Sequence, residues 1–161
     1  MSDTFSADKL QPYLLDRLID EQPESRRESR VARVMTPSEL RSAVLRDLRW
    51  LLNANAHPPE DFADFGEVSR SVLNYGSPDL CGRMISGLNI DKLERDLAAA
   101  IRNFEPRILP DALKIKVKVD ATVGTPNTIA LEIRGEMWAT PYPEELYIKT
   151  EIDLETGVCK L

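Results

Sequence analysis

The spacing of apolar positions divides the chain in two. In three stretches between Leu40 and Phe104 apolar residues recur every three or four positions, and in three stretches from Leu113 onward they recur every second one. The first spacing lines one face of an α-helix, the second one face of a β-strand. Ahead of both stands a small island, "PYLLDRLID", in which Leu14, Leu15, Leu18 and Ile19 keep helical spacing and Pro12 suits a first turn. The next stretch, "EQPESRRESRVARVM", has no periodic apolar face and reads as a linker or mobile arm. A short amphipathic helix set apart in this way cannot hide its own leucines. It docks either on its own domain or on a partner.

Thr36-Pro37-Ser38-Glu39 is a strong helix start: a capping threonine, proline at the first helical position, and glutamate three after the cap. The spacing predicts a helix to about Asn53, with Leu40, Val44, Leu48, Leu51 and Leu52 on one face. A second, shorter helix is expected from Glu67 to Asn74, turning Val68, Val72 and Leu73 inward, with Gly76 as a left-handed cap and Pro78 just beyond. The third helix has Asn89 as its cap and steps through Ile90, Leu93, Leu97, Ile101 and Phe104 before Pro106 stops it.

Past Pro110 the period is two. Leu113, Ile115, Val117 and Val119 alternate with Lys114, Lys116 and Lys118. Ile129, Leu131 and Ile133 alternate with polar or small residues, as do Leu146, Ile148, Ile152 and Leu154. These are three strands with one buried face, joined as a meander, and "VCKL" after the turn at "ETG" could return as a fourth. Helices first and sheet second define an α+β fold, its N-terminal helices packed on one face of a C-terminal three- to four-stranded antiparallel sheet. The domain reading is residues 1–35 as an N-terminal helix and arm, and 36–161 as a single α+β domain.

Composition changes this picture little. The chain has 161 residues, 42% hydrophobic and 30% charged, enough for one domain with a genuine core. Apolar runs are too short to span a bilayer, and the first residues lack the pattern of a secretory signal, so a cytoplasmic location without membrane insertion is expected. A net charge of −6 disfavours nucleic acid as the main partner. Cys81 and Cys159 fit no metal-ligand spacing and are expected as free thiols.

Catalytic parts are hard to find. His57 is the only histidine and lies in the proline-rich "NAHPPED", where a solvated side chain is the expectation. The seven glycines form no phosphate loop, and none of the 27 acidic residues stands out as a glycosidase pair. Neither catalytic residues nor a cofactor or metal site are assigned.

The stretch "FEPRI" (104–108) is unusual. Glu105 stands at the negative pole of a helix, where a carboxylate is disfavoured. Pro106 drives Glu105 out of helical conformation. In an extended segment residues two apart share a side, so Glu105 and Arg107 would project together. They form either an internal ion pair or a preset acid–base pair for a partner to read. The lysines of the first strand leave two readings as well: charges that guard a sheet edge, or a solvated face paired across strands with acids such as Glu132 and Glu136.

"LLDRL" (14–18), "RSVLNYGSPDL" (70–80), "FEPRI" (104–108) and "TEIDLETG" (150–157) occur together and in this order. With them, from about residue 10 to the end, the chain resembles the TssE family, the baseplate wedge subunits of bacterial type VI secretion systems. These are relatives of a contractile-phage wedge protein traditionally labelled lysozyme-like. In "LLNANA" (51–56) Asn53 is kept, whereas Asn55 stands where relatives carry arginine. The resemblance implies a structural role beside the wedge proteins TssF and TssG, with TssK a further candidate neighbour, at the inner face of the inner membrane. It also implies a sheet on which the TssB–TssC sheath starts. By position it makes Glu105, Pro106 and Arg107 an assembly contact. The outward leucines Leu14, Leu15 and Leu18 are the other partner-binding candidates. Two competing readings are a peptidoglycan hydrolase, as the inherited label suggests, and an adaptor outside secretion.

Overall fold

The computed structural model describes residues 12–19, 24, 35–62, 64–119, 127–139 and 142–161. Apart from Glu24 and Met35, the arm expected over 21–35 lies outside the described residues. Helix α1 is Leu14–Leu18, α2 is Pro37–Leu52 and α3 is Ile90–Phe104. Strands β1 (Asn55–Ala56) and β2 (Ser77–Pro78) form a small parallel pair. Strands β3 (Lys114–Lys118), β4 (Thr128–Met137) and β5 (Glu144–Asp153) form an antiparallel sheet in the order β3-β4-β5.

The capping box at the start of α2 is complete. The Thr36 hydroxyl accepts from the Glu39 N–H at 3.3 Å, and the Glu39 carboxylate accepts from the Thr36 N–H at 2.6 Å. That backbone hydrogen bond, with a second from the Thr36 hydroxyl, holds the Glu39 carboxyl below its ordinary pKa. Thr36→Ala removes the acceptor for an otherwise unpaired helix N–H. It is expected to destabilise the chain by about 1 kcal/mol, which a thermal melt reads as a drop of roughly 2–4 °C. An unchanged melt would mean that the box contributes nothing to the fold.

Helix α2 buries Leu40, Val44, Leu48, Leu51 and Leu52, and α3 buries Leu93, Leu97, Ala98, Ala100 and Ile101. Both stripes meet the apolar face of the sheet. Across it Ile115 lies opposite Ile133, Val117 opposite Leu131, Ile133 opposite Ile148 and Ile129 opposite Ile152. Ile129, Leu131 and Ile133 are fully buried because β4 is the central strand. Each such side chain contributes about 1.5–3 kcal/mol by leaving water. The expected α+β arrangement, helices on one sheet face, is the observed one.

The C-terminal "VCKL" returns only as a bridge of Cys159 to Ile152, with the Lys160 N–H donating to the Glu151 carbonyl at 3.0 Å. Asn53, just past α2, then takes the place of a neighbouring strand. Its Oδ1 accepts from the Cys159 N–H at 2.9 Å and its Nδ2 donates to the Cys159 carbonyl at 3.2 Å. The side-chain amide thus fastens the chain end to the helix end. Asn55 sits in β1 opposite Ser77.

The helix expected from Glu67 to Asn74 does not form. Two 3₁₀ turns, Val68–Arg70 and Val72–Asn74, replace it. Ser71 breaks the run by accepting from the Leu73 N–H at 3.2 Å. Asn74 takes the His57 N–H at 2.7 Å and donates to the Ser69 carbonyl at 3.2 Å. Such local side-chain bonds compete with the helical ladder. Val72 and Leu73 therefore point outward, 81% and 74% exposed, rather than into the core. Gly76 is not a helix cap either: it has φ +149° and lies against the β1 backbone.

Candidate functional site

Pro106 ends α3 as expected, leaving Glu105 at φ −124°, ψ 76°, outside helical geometry. The chain does not continue as a straight strut, however. The Ile108 N–H donates to the Glu105 carbonyl at 3.2 Å, closing a turn, as suits a proline at its second position. The turn brings Glu105 and Arg107 to one side, but inward. Glu105 is 2% and Arg107 4% exposed, with only the Pro106 ring between them facing solvent. Beyond the turn, the Trp138 N–H donates to the Arg107 carbonyl at 2.7 Å and the Leu109 N–H to the Glu136 carbonyl at 2.8 Å. These bonds pin the segment to the end of β4.

The buried acid and base grip each other with a fork. Arg107 Nε donates to Glu105 Oε1 at 2.6 Å, Nη2 donates to Glu105 Oε2, and the Arg107 backbone N–H donates to Oε1 at 3.2 Å. Nη2 also donates to Asp47 Oδ2 on α2. Bidentate guanidinium–carboxylate pairs fix geometry as well as charge. Burial works against the charged guanidinium, yet the two carboxylates outweigh it and hold the Arg107 pKa above its ordinary value. Glu105 at the negative pole of α3 is thus balanced by the arginine beneath it.

The network continues outward to α1. Arg46 Nε donates to Asp47 Oδ1 at 2.8 Å, and Arg46 Nη1 donates to Asp16 Oδ1 on α1 at 2.7 Å. The Arg46 guanidinium also stacks on Trp50, 5.0 Å from the ring centroid. Arg107 lies 4.7 Å from the centroid of the Tyr13 ring. Burial is the main reason that the Tyr13 phenol is pushed above its usual pKa. Asp16 Oδ2, Arg46 Nη2 and Arg107 Nη1 are buried without a hydrogen-bond partner among the described residues. Helix α1 therefore docks on its own domain by its polar and aromatic side. Its leucines face away: Leu14 is 71% exposed, Leu15 44% and Leu18 72%.

The structure thus brings Glu105, Pro106, Arg107 and α1 with Leu14, Leu15 and Leu18 into one region. Tyr13, Asp16, Arg46 and Asp47 were missed in the sequence. Asp47 left one faint signal, standing one position from Leu48 on the buried stripe of α2. The rest depended on packing.

On the outer face of the sheet Lys118 Nζ meets Glu132 Oε1 at 2.7 Å and Arg134 reaches Glu132 at 3.7 Å, while at the β3 edge Lys116 reaches Glu94 of α3 at 3.9 Å. The Lys118 hydrogen bond holds the Glu132 carboxyl below its usual range. Glu136, the other acid expected beside the lysines, lies in register with Glu145 instead. Both edge strands carry a helix side chain. Glu94 on α3 accepts from the Val117 N–H of β3 at 2.8 Å, and Arg41 on α2 donates to the Glu145 and Tyr147 carbonyls of β5 at 3.4 and 3.3 Å. His57 is exposed, 3.7 Å from Asp61. Cys81 and Cys159 are free, and burial raises the Cys159 thiol pKa. No group of three or more His, Cys, Asp or Glu among the described residues is placed to hold a metal, and none of the described helices is long and apolar enough to cross a membrane.

The described chain is thus an α+β unit that secures a short helix with a buried ion cluster while turning that helix's leucines outward. The sequence pattern of the baseplate wedge protein gp25 family matches residues 38–142, more than half of the chain, and the chain belongs to that family. The match bears out the baseplate-wedge resemblance read from the sequence motifs, two of which, at 70–80 and 104–108, lie inside it. No curated protein and no solved structure matches it.

Proposed function

We propose that this wedge protein is the TssE subunit of a type VI secretion baseplate. It works in the cytoplasm by contact rather than catalysis and joins the wedge core to the first ring of the contractile sheath. The observation that carries the reading is the outward leucine face of α1, on a helix of five residues that could not fold without its seat. An amphipathic helix presenting leucines suits an apolar groove on a partner. TssF and TssG supply that groove, with TssK nearby, and the exposed Pro106 ring adjoins the same region. The β3 and β5 edges face TssB and TssC. There a sheath strand pairs with backbone groups, displacing Glu94 or Arg41 from the positions they hold in the free chain.

The test is retention of TssF and TssG from the native host by the tagged full chain. Leu14→Ser with Leu18→Ser alters only exposed side chains, so the melt should shift by less than about 1 kcal/mol. Retention of the wedge core should fall at least about tenfold, because apolar anchors at the centre of an interface carry most of its energy. Undiminished retention by the double variant would remove α1 from the interface.

A further inference from the structure

Only half of α1 is explained by what it shows to solvent. Five helical residues form one and a half turns, far too few for a helix to persist in water. Apolar contact does not hold this one, because Leu14, Leu15, Leu18 and Ile19 are 44–72% exposed. The side chains that tie it down are Tyr13, on the Arg107 guanidinium at 4.7 Å, and Asp16, on Arg46 at 2.7 Å. Both arginines are fixed from behind by one residue. Asp47 accepts from Arg46 through Oδ1 and from Arg107 through Oδ2, while Glu105 holds the other side of Arg107.

We infer that Asp47, Glu105 and Arg107 act in assembly as positioning residues, forming an electrostatic latch that seats α1 by Tyr13 and Asp16 so that Leu14 and Leu18 face a partner. The inference rests on the docking reading above but changes the part the Glu-Pro-Arg turn plays in it. With Glu105 and Arg107 buried, a partner meets the helix they hold and the Pro106 ring, not the acid and base themselves. A latch of this kind has properties that an apolar seat lacks. It weakens in salt, as far as its ion pairs are open to solvent. At position 13 it needs an aromatic face and no hydroxyl, since the contact is ring to guanidinium.

Hydrogen exchange on the full chain tests this directly. The Arg17 and Ile19 amides donate to the Tyr13 and Leu15 carbonyls at 3.0 and 3.1 Å, and they report whether α1 is formed. Millisecond-quench exchange over 12–19 should quicken about tenfold in Tyr13→Ala and in Asp16→Asn, and should also quicken in 1 M NaCl. Protection in α3 and β4 should stay unchanged. Tyr13→Phe should restore the wild-type rate. Tyr13→Leu, which keeps apolar bulk without an aromatic face, should not, whereas a general packing defect would be relieved by either. The same variants are then used to retain TssF and TssG, where Tyr13→Ala should lose the wedge core and Tyr13→Phe keep it. Unprotected exchange over 12–19 in the wild type, or no change in Tyr13→Ala, overturns the latch whatever the retention shows. If exchange responds as expected while even Leu14→Ser with Leu18→Ser retains the wedge core, the latch stands as the seat of α1. The docking reading then fails, and with it the latch's part in assembly.

Discussion

Arg107→Ala is expected to destabilise the chain by about 3–5 kcal/mol, a fall of roughly 10 °C in melting temperature for a domain of this size. Alanine would leave Glu105, 2% exposed, without its counter-ion and facing Asp47, whose side chain is 25% exposed. The loss comes less from the attraction removed than from a buried carboxylate left uncompensated. A second variant separates these two contributions. Glu105→Leu with Arg107→Met fills similar volume and removes both buried charges, and Asp47 is exposed enough to return to water. This pair should regain at least about 2 kcal/mol over Arg107→Ala. Urea denaturation of the full chain measures both. If Arg107→Ala costs less than about 1 kcal/mol, the ion cluster is not as desolvated as its geometry implies.

That comparison also decides how an assembly defect at the turn should be read. Arg107→Ala alone could fail to assemble because it folds poorly. The apolar pair is expected to fold yet offer no guanidinium to Tyr13, so a stable chain that still loses the wedge core points to the seat of α1. Recovery of both stability and assembly would mean that the charges serve the fold only.

The elements most easily read in the sequence are those whose signals are local. Helices α2 and α3 announce themselves through caps and an unbroken period, and both capping arrangements are present, Thr36 with Glu39 and Asn89 with the Lys92 N–H. The edge strands β3 and β5 alternate strictly because helices cover one face only, whereas in the central strand β4 Thr128 and Glu132 are buried as well as the apolar positions. Between Glu67 and Asn74 the apolar spacing gave the wrong answer. Ser71 and Asn74 spend their side chains on nearby backbone groups, and spacing cannot register such bonds. The site was half legible. Pro106 made a shared side for Glu105 and Arg107 readable. Their burial was not, because it depends on Asp47, sixty positions earlier in the chain. The leucines of α1 were visible as a face in need of cover, while the Tyr13 and Asp16 contacts that leave them uncovered exist only once α2 and the turn after α3 have packed together.

Gly76→Ala should be the other severe substitution, at about 3–4 kcal/mol, adding backbone strain to overpacking. A Cβ built at Gly76 would lie 2.6 Å from the Ala54 carbonyl oxygen, 2.7 Å from the Ala56 nitrogen and 2.8 Å from the Asn55 carbonyl carbon. All three are backbone atoms and cannot swing aside as a side chain would. The residue also holds φ +149°, which side-chain-bearing residues rarely adopt. The surroundings offer little room for adjustment. Next to Gly76, the Ser77 N–H donates to the Ala54 carbonyl at 2.8 Å, and its hydroxyl donates to the Leu52 carbonyl at 3.2 Å near the end of α2. Pushing β2 off β1 would break both bonds and loosen the loop that carries the exposed Val72 and Leu73. Chemical denaturation should show the midpoint moving to lower urea with an unchanged slope, because the fold exposes the same surface when it opens. By contrast, Gly87→Ala meets nothing within 4 Å and should stay within about 0.5 kcal/mol of the parent. Equal effects at the two positions would mean that the close approach of β1 and β2 at Gly76 does not limit stability.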